Sequence, residues 1–183
     1  VAALRHLSKP QTIIVGAKYP EQRDNAIRLG ADIVVEPGEV RRAVRRATKS
    51  YAVGDTMSDG ADVVIDCVGD ASSIAEALAI TRPGGRIALV GMPGWENVDL
   101  TPLWQREIEL VGAYAYGTER VNKDGLPSKT GSVRTFDLAM DLVAAADLGR
   151  LVSARYPLAR YREAIEHAAN AGRRGATKIV FDL

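Results

Sequence analysis

Short runs of β-branched and apolar residues recur through the first 117 residues, each separated from the next by a segment whose apolar positions fall at helical intervals. Parallel strands cannot be joined by tight turns; they need crossovers of a dozen or more residues, and those crossovers are right-handed. The alternation therefore predicts a doubly wound α/β fold, a parallel sheet with helices on both faces. Strands are read at Thr12–Val15, in "ADIVVEP" (31–37), in "ADVVIDCVG" (61–69), in "RIALVGMPG" (86–94) and over Glu109–Tyr116. The third is the kind of apolar run that a strand covered on both faces requires. Ligands in such folds meet the carboxyl ends of the strands, which singles out Gly16–Lys18, Cys67–Gly69, Val90–Pro93 and Ala113–Tyr116.

The helical segments carry their own punctuation. Val1, Leu4 and Leu7 share one helical face before "SKPQ" ends the segment. In "PEQRDNAIRLG" Pro20 suits a first turn, Glu21 lies near the positive end of the dipole, and Gly30 stands just past the last turn. In "GEVRRAVRRATKSYA" Val40, Ala43, Val44 and Ala47 repeat on one side, opposite Arg41, Arg42, Arg45, Arg46 and Lys49. That cationic side reads as a solvated outer face, because no aromatic residues interleave with it for stacking on nucleic acid. "ASSIAEALAIT" is a helix, "VGDTMSDG" a loop, "RPGGR" a turn in which Gly84 and Gly85 can take positive φ, and "TPLWQ" a single helical turn. Past residue 117, "TERVNKDGLPSKTGS" is a polar loop, followed by helices over 133–148 and 161–171, an extended "LVSARYPL" between them, and a final strand "KIVFDL".

Composition narrows the partners. The chain has 183 residues, 46% hydrophobic and 26% charged, enough for a core with a solvated exterior, and its net charge of +1 provides no field for nucleic acid or a membrane surface. Small molecules are the expected partners. The single cysteine, Cys67, excludes an intrachain disulfide and any zinc site built from two thiolates of this chain, and points to the cytoplasm. Cys67 follows the acid Asp66, and with nothing nearby to lower its pKa it is expected to be a small apolar filler. His6 and His167 stand too far apart to suggest a metal pair or a triad and are expected to be structural. No apolar run approaches the roughly 18 residues of a spanning helix, and there is no signal-peptide succession. The opening "VAALRHL", already helical and without methionine, reads as part of a longer chain.

Three strings, "LGADIVVE", "DVVIDCVGDASSIAEALAITRPGGRIALVGMPG" and "ELVGAYAYG", in that order and spacing, resemble the nucleotide-binding part of the medium-chain dehydrogenases/reductases, the zinc-type alcohol dehydrogenase superfamily. The ending "LVSARYPLARYREAIEHAANAGRRGATKIVFDL" is similar to the C-terminal segment of the same family. The resemblance implies a Rossmann-like fold lacking its first strand and glycine-rich turn, since no G-x-G-x-x-G occurs here, together with a C-terminal α/β tail. Residues 1–117 would be an incomplete dinucleotide-binding domain, and 118–183 a segment packing on a catalytic domain upstream of Val1. The family's zinc ligands would lie upstream as well, so neither a catalytic residue nor a metal ligand is carried over to this chain.

What the resemblance does carry over is a set of cofactor contacts. Gly16 and Ala17 occupy the strand end where NAD-dependent relatives keep an acid for the adenosine ribose, and Lys18 and Arg23 stand where NADP-preferring relatives keep cations. A carboxylate would repel a 2′-phosphate and cations would bind it, so NADP is the expected cofactor, with NAD possible. Cys67, Val68 and Gly69 match the segment lining the adenosine and nicotinamide-ribose groove, and Val90, Gly91 and Met92 the segment along the nicotinamide. Ala113, Tyr114 and Ala115 match the stretch that meets the carboxamide, and Lys178 a cation near the pyrophosphate. Trp95, Trp104, Tyr114 and Tyr116 gather around the last sheet strand, an edge through which a homodimer is expected.

The function this implies is hydride transfer between nicotinamide and an alcohol or carbonyl substrate. "RPGGRIALV" also suits a methyltransferase of doubly wound fold, although Val15, Gly16 and Ala17 offer no acid for its adenosine ribose. A nucleotide-sensing module that kept the fold without the chemistry is the non-catalytic alternative.

Overall fold

The structure is a computed structural model, and it describes residues 1–54, 56–114, 116–121 and 128–183, without the side chain of Val53. Two compact units divide the chain, one formed by residues 1–37 with 116–183 and the other by residues 38–115.

The first unit begins with a π-helical turn, Leu4–Ser8, closed by Lys9 in the left-handed region at φ 49°. Arg5 ties this turn to residues further along the chain. Its Nε donates to the Gly30 carbonyl at 2.6 Å, its Nη1 to the Pro10 carbonyl at 3.0 Å, and its Nη2 to the Asp32 carboxylate. The same carboxylate accepts the amide of Ile13 at 2.6 Å. β1 (Ile14–Gly16) pairs in parallel with β2 (Ile33–Val35), Ile14 opposite Ile33, and α1 (Pro20–Arg28) is the crossover between them. Pro20 opens α1 and Gly30, at φ 98°, takes the conformation past its end that a residue with a Cβ adopts only under strain. The punctuation read from "PEQRDNAIRLG" thus describes the observed helix.

In the second unit, α2 (Val40–Thr48) buries Ala43 and Val44 and exposes Arg42, Arg45, Arg46 and Lys49. "VGDTMSDG" is not a plain loop: β3 (Ala52–Val53) and β4 (Thr56–Met57) pair antiparallel, and Met57 is 2% exposed. Burial of that one long apolar side chain draws the segment inward and leaves its backbone to satisfy itself in a hairpin. β5 (Ala61–Asp66), α3 (Ala71–Ile80), β6 (Thr81–Leu89), α4 (Thr101–Gln105) and β7 (Glu109–Gly112) complete the unit as a parallel sheet in the order β5-β6-β7. "RPGGR" lies inside β6 rather than between elements. Ala61 faces Thr81, but Val63 faces Arg86, so the strand bulges through residues 82–85, with Gly84 at φ 64°. The strand predicted to reach Tyr116 ends at Gly112, although the Ala113 amide still donates to the Leu89 carbonyl at 2.9 Å.

Ile74, Ala77, Leu78, Ile87 and Ile108 form the core of this unit, with Val64, Leu89, Val98 and Leu103 packed around it. Leu78 and Ile87, each 1% exposed, contribute about 1.5–3 kcal/mol apiece by leaving water. Arg106, 8% exposed, closes the far end of α3: its guanidinium donates to the carbonyls of Leu78 (3.1 Å), Ala79 (3.2 Å) and Met57 (2.9 Å). Burial lowers its pKa and the charge of Asp59 works in the opposite direction.

The chain then returns to the first unit. β8 (Thr118–Glu119) pairs antiparallel with β9 (Val133–Arg134), so both ends of the expected polar loop are held, and the Thr135 hydroxyl donates to the Glu119 carboxylate at 2.8 Å. α5 (Thr135–Ala145) comes next. β10 (Val152–Pro157) and β11 (Lys178–Asp182) form a parallel pair with α6 (Tyr161–Ala169) as the crossover. His167 Nδ1 shares a 3.0 Å hydrogen bond with the Tyr156 hydroxyl.

The α/β fold with parallel strands is as expected, but its strands do not make one sheet: among the described residues no ladder joins β1-β2 to β5-β6-β7. In the doubly wound order 3-2-1-4-5-6, the second and fourth strands both pair with the first and not with each other.

The Ile13 amide and then the Arg5 guanidinium hold the Asp32 carboxyl below its ordinary value of 3.8. A depressed carboxyl stabilises the fold fully above the ordinary value and loses that contribution as pH falls through the depressed one. Asp32→Asn should therefore be less stable than the parent at neutral pH, and the difference should shrink towards zero as denaturant melts are moved below pH 3.8.

Candidate functional site

The carboxyl ends of β5, β6 and β7 are tied to one another. Asp66, the last residue of β5 and 5% exposed, turns its carboxylate into the loop beyond the strand. Its Oδ1 accepts the amides of Val68 (2.8 Å) and Gly69 (3.1 Å), and its Oδ2 accepts the Ser73 hydroxyl (2.8 Å). Its main-chain carbonyl accepts the amides of Val90 (2.8 Å) and Gly91 (2.9 Å) at the end of β6. Leu89 in turn accepts Ala113 at the end of β7. Asp70 and Ser73 cap α3 reciprocally, Asp70 Oδ1 accepting the Ser73 amide at 2.8 Å and Ser73 Oγ the Asp70 amide at 3.1 Å. Glu96 adds a carboxylate to the Ala71 amide at 2.9 Å.

The two glycines here face each other. A Cβ on Gly91 would overlap the Val68 carbonyl, and one on Gly69, whose φ is 84°, would lie 3.0 Å from the Gly91 carbonyl carbon. Both positions are reserved for glycine by backbone meeting backbone, a requirement distinct from the close approach of a ligand. Around this junction the side chains of Val68 (64% exposed), Val90, Met92 (88%) and Tyr114 (94%) have no cover. Ala115, expected at the same tip, lies outside the described residues.

Four expected residues stand at the end of β1 in the other unit. Ala17 is buried and its amide donates to the Val35 carbonyl at 3.0 Å, whereas Gly16 and Lys18 are exposed. The Lys18 ammonium lies 5.7 Å from the Tyr19 ring centroid. Arg23 is already engaged, its Nη1 donating to the carbonyls of Ala17 and Lys18 at 3.0 Å each and its Nη2 lying 3.5 Å from Glu36. Lys178 is an exposed first residue of β11, and its neighbour Thr177 accepts Asn25 Nδ2 of α1 at 2.9 Å. The C-terminal turn is thereby set against the helix that comes after Lys18.

Cys67, expected as a small apolar filler, is exposed just past the end of β5. Desolvation of the sulfur and the Asp66 charge both push the thiol pKa up, which opposes a nucleophilic role. A shallow cavity of about 240 Å³ in the first unit, lined by His6, Arg28, Leu29, Ala145, Ala146, Asp147 and Arg150, contains none of the expected site residues. Among the described residues no three His, Cys, Asp or Glu side chains gather as a metal site.

A profile described as zinc-binding dehydrogenase matches residues 2–127, more than half of the chain and all of the strand ends just described. The chain belongs to the zinc-binding dehydrogenase family. It is 28% identical over 187 residues to L-idonate 5-dehydrogenase of Vitis vinifera, an alignment covering 99% of this chain and 45% of that protein. Among solved structures it is similar to L-idonate 5-dehydrogenase of Escherichia coli, with a TM-score of 0.71 and 24% identity over 98% of this chain and 45% of the other. It is also similar to a short chain alcohol dehydrogenase of Escherichia coli CFT073 described as complexed with NADH, with a TM-score of 0.69 and 16% identity over 97% and 46%. At those identities the two structures speak for the fold. The chain spans about 45% of the length of the curated relatives it matches most fully.

The residue that the sequence pattern alone passes over is Asp66. Its signal was present in "VVIDCVG", an acid closing an apolar strand just before a glycine, where a buried carboxylate must find donors in the turn it begins.

Gly91→Ala would force a methyl group into the Val68 carbonyl, and relief requires the two tips to separate. The variant should lose about 1–3 kcal/mol in a chemical-denaturation series, while Gly94→Ala, where a Cβ meets nothing within 4 Å, should be near neutral.

Proposed function

We propose that this chain is the cofactor-binding part of an oxidoreductase that moves hydride between NADP(H) and an alcohol or carbonyl substrate. Family membership supports this reading and removes the ground for a methyltransferase. The observation that carries it is the set of uncovered apolar side chains at the cross-tied tips of β5, β6 and β7; in the other unit, the end of β1 carries the exposed Lys18 and has Ala17 at the position expected for an acid. Uncovered apolar groups converging at the carboxyl ends of parallel strands are where a flat heterocycle gains most by leaving water.

A bound nicotinamide supplies the hydride chemistry; the residues of this chain bind and orient it. Val68, Val90 and Met92 offer apolar surface to the ring and its ribose, and the backbone at Ala113 and Tyr114 offers polar groups to the carboxamide. Lys18 supplies charge to a 2′-phosphate, Ala17 puts no carboxylate at its own position, and Glu36 is paired with Arg23. Arg23 acts by bracing the carbonyls of Ala17 and Lys18, and Lys178 adds a cation towards the pyrophosphate. Residues upstream of Val1 bring the catalytic domain, with zinc where the enzyme uses it, and residues 118–183 pack against that domain. The site is cytoplasmic, and a homodimer forms through β7, which has a ladder on its β6 side only among the described residues and exposes Leu110 and Val111.

The complete protein should bind NADP more tightly than NAD in fluorescence titrations, and Lys18→Ala should narrow the gap on the order of tenfold, as loss of one charge-assisted hydrogen bond implies. Equal affinities in the parent protein would refute the preference. Val111→Lys should shift the protein to monomer in sedimentation; an unchanged oligomer would refute the β7 interface.

A further inference from the structure

Asp66 sits one residue before the proposed cofactor contacts and is nearly closed off from solvent, yet five hydrogen bonds end on it. Three end on its carboxylate, from Val68, Gly69 and Ser73, and two on its carbonyl, from Val90 and Gly91. The Gly69 amide also lies 3.1 Å from Ser73 Oγ, so the carboxylate and the hydroxyl hold the turn jointly. One residue therefore sets the backbone of both tips that line the candidate site, and the glycine junction locks the two together.

We propose that Asp66 is the positioning residue of the cofactor site: its buried carboxylate orients the Val68–Gly69 backbone, and through the glycine junction the Val90–Met92 segment, for dinucleotide binding. This rests on the reading of the chain as the cofactor-binding part of an oxidoreductase. The role comes from hydrogen-bond capacity rather than from charge. An ionised carboxylate accepts on both oxygens, which matches two backbone donors on one side and a hydroxyl on the other. An amide at the same place keeps Oδ1 for Val68 and Gly69 and offers Nδ2 to Ser73 Oγ, which then accepts from the Asp70 amide and Nδ2, leaves the Gly69 amide to Oδ1 alone, and sends its proton to the Asp70 carbonyl, already 3.1 Å away. A methyl group accepts neither the Val68 amide nor the Ser73 hydroxyl and leaves the Gly69 amide only Ser73 Oγ, so the turn must move to satisfy them.

The test uses the full-length protein with Asp66→Ala, Asp66→Asn and a control, Arg106→Lys, which weakens the opposite end of α3 without touching the tips. Cofactor Kd, thermal midpoint and hydrogen exchange in peptides covering 66–73 and 88–93 are measured for each. Asp66→Ala should raise the Kd for the nicotinamide dinucleotide about tenfold or more and speed exchange in both peptides. Asp66→Asn should recover most of both effects, and Arg106→Lys should lower the thermal midpoint with the Kd unchanged. A Kd in Asp66→Ala that matches the parent, or that rises no more than in a comparably destabilised Arg106→Lys, overturns the proposal and leaves the cofactor reading standing. Tighter binding in Asp66→Asn also overturns it, since the carboxylate would then act on the cofactor by repulsion. If the parent protein binds neither NADP nor NAD, the cofactor reading fails first and the positioning role fails with it.

Discussion

The turn at the end of β5 brings backbone amides inward with no neighbouring strand to receive them, and the carboxylate of Asp66 answers them. Parallel strands end in this predicament generally, because their ladders stop where the chain leaves for a crossover helix. Here the acceptor that fills the gap also collects Ser73 from the first turn of α3, so strand, turn and helix share one anchor. Once that anchor is fixed, the β6 tip has little freedom. Its amides reach back to the Asp66 carbonyl, and its glycine has room only because Gly69 faces it.

Elements whose signals are local were legible in the sequence. α1 shows its proline, its acid and its closing glycine within eleven residues, and α2 buries Ala43 and Val44 opposite exposed Arg42, Arg45 and Arg46, although Ala47, read on the apolar side, is exposed. Elements that depend on distant partners were not. The hairpin of β3 and β4 forms because Met57 is drawn into the core, and the bulge in β6 exists because β5 continues past a turn that by itself looked like an ending. Arg106 lay hidden for the same reason: nothing in "LWQREIE" says that a guanidinium will close a helix nearly thirty residues earlier, as its bond to the Leu78 carbonyl shows. The tips of β1, β5 and β6 were legible from pattern, whereas β7 ends at Gly112, short of the Tyr116 read from the sequence, and pattern alone does not say why Gly69 and Gly91 are glycines. Close approach of a ligand and close approach of a second backbone make the same demand on a sequence.

The end of β1 separates two duties that a sequence merges. Lys18 and Arg23 look alike as nearby cations, yet Arg23 spends its donors on the Ala17 and Lys18 carbonyls and faces Glu36, while Lys18 remains exposed beside the Tyr19 ring. A planar fork suits bracing of carbonyls and a mobile ammonium suits a point charge, so the two residues are not interchangeable. Under the proposed NADP reading, selectivity for a phosphate at this end would fall to Lys18, and the shape of the loop that presents it to Arg23.

The interlock of Gly69 and Gly91 has a mechanical meaning. A side chain added to either glycine would strike the backbone of the other tip, so the Val68–Gly69 turn and the Gly91 turn fit only as a pair. Such a pair cannot adapt one side at a time, and evolution of this rim towards a new ligand has to move both tips in step.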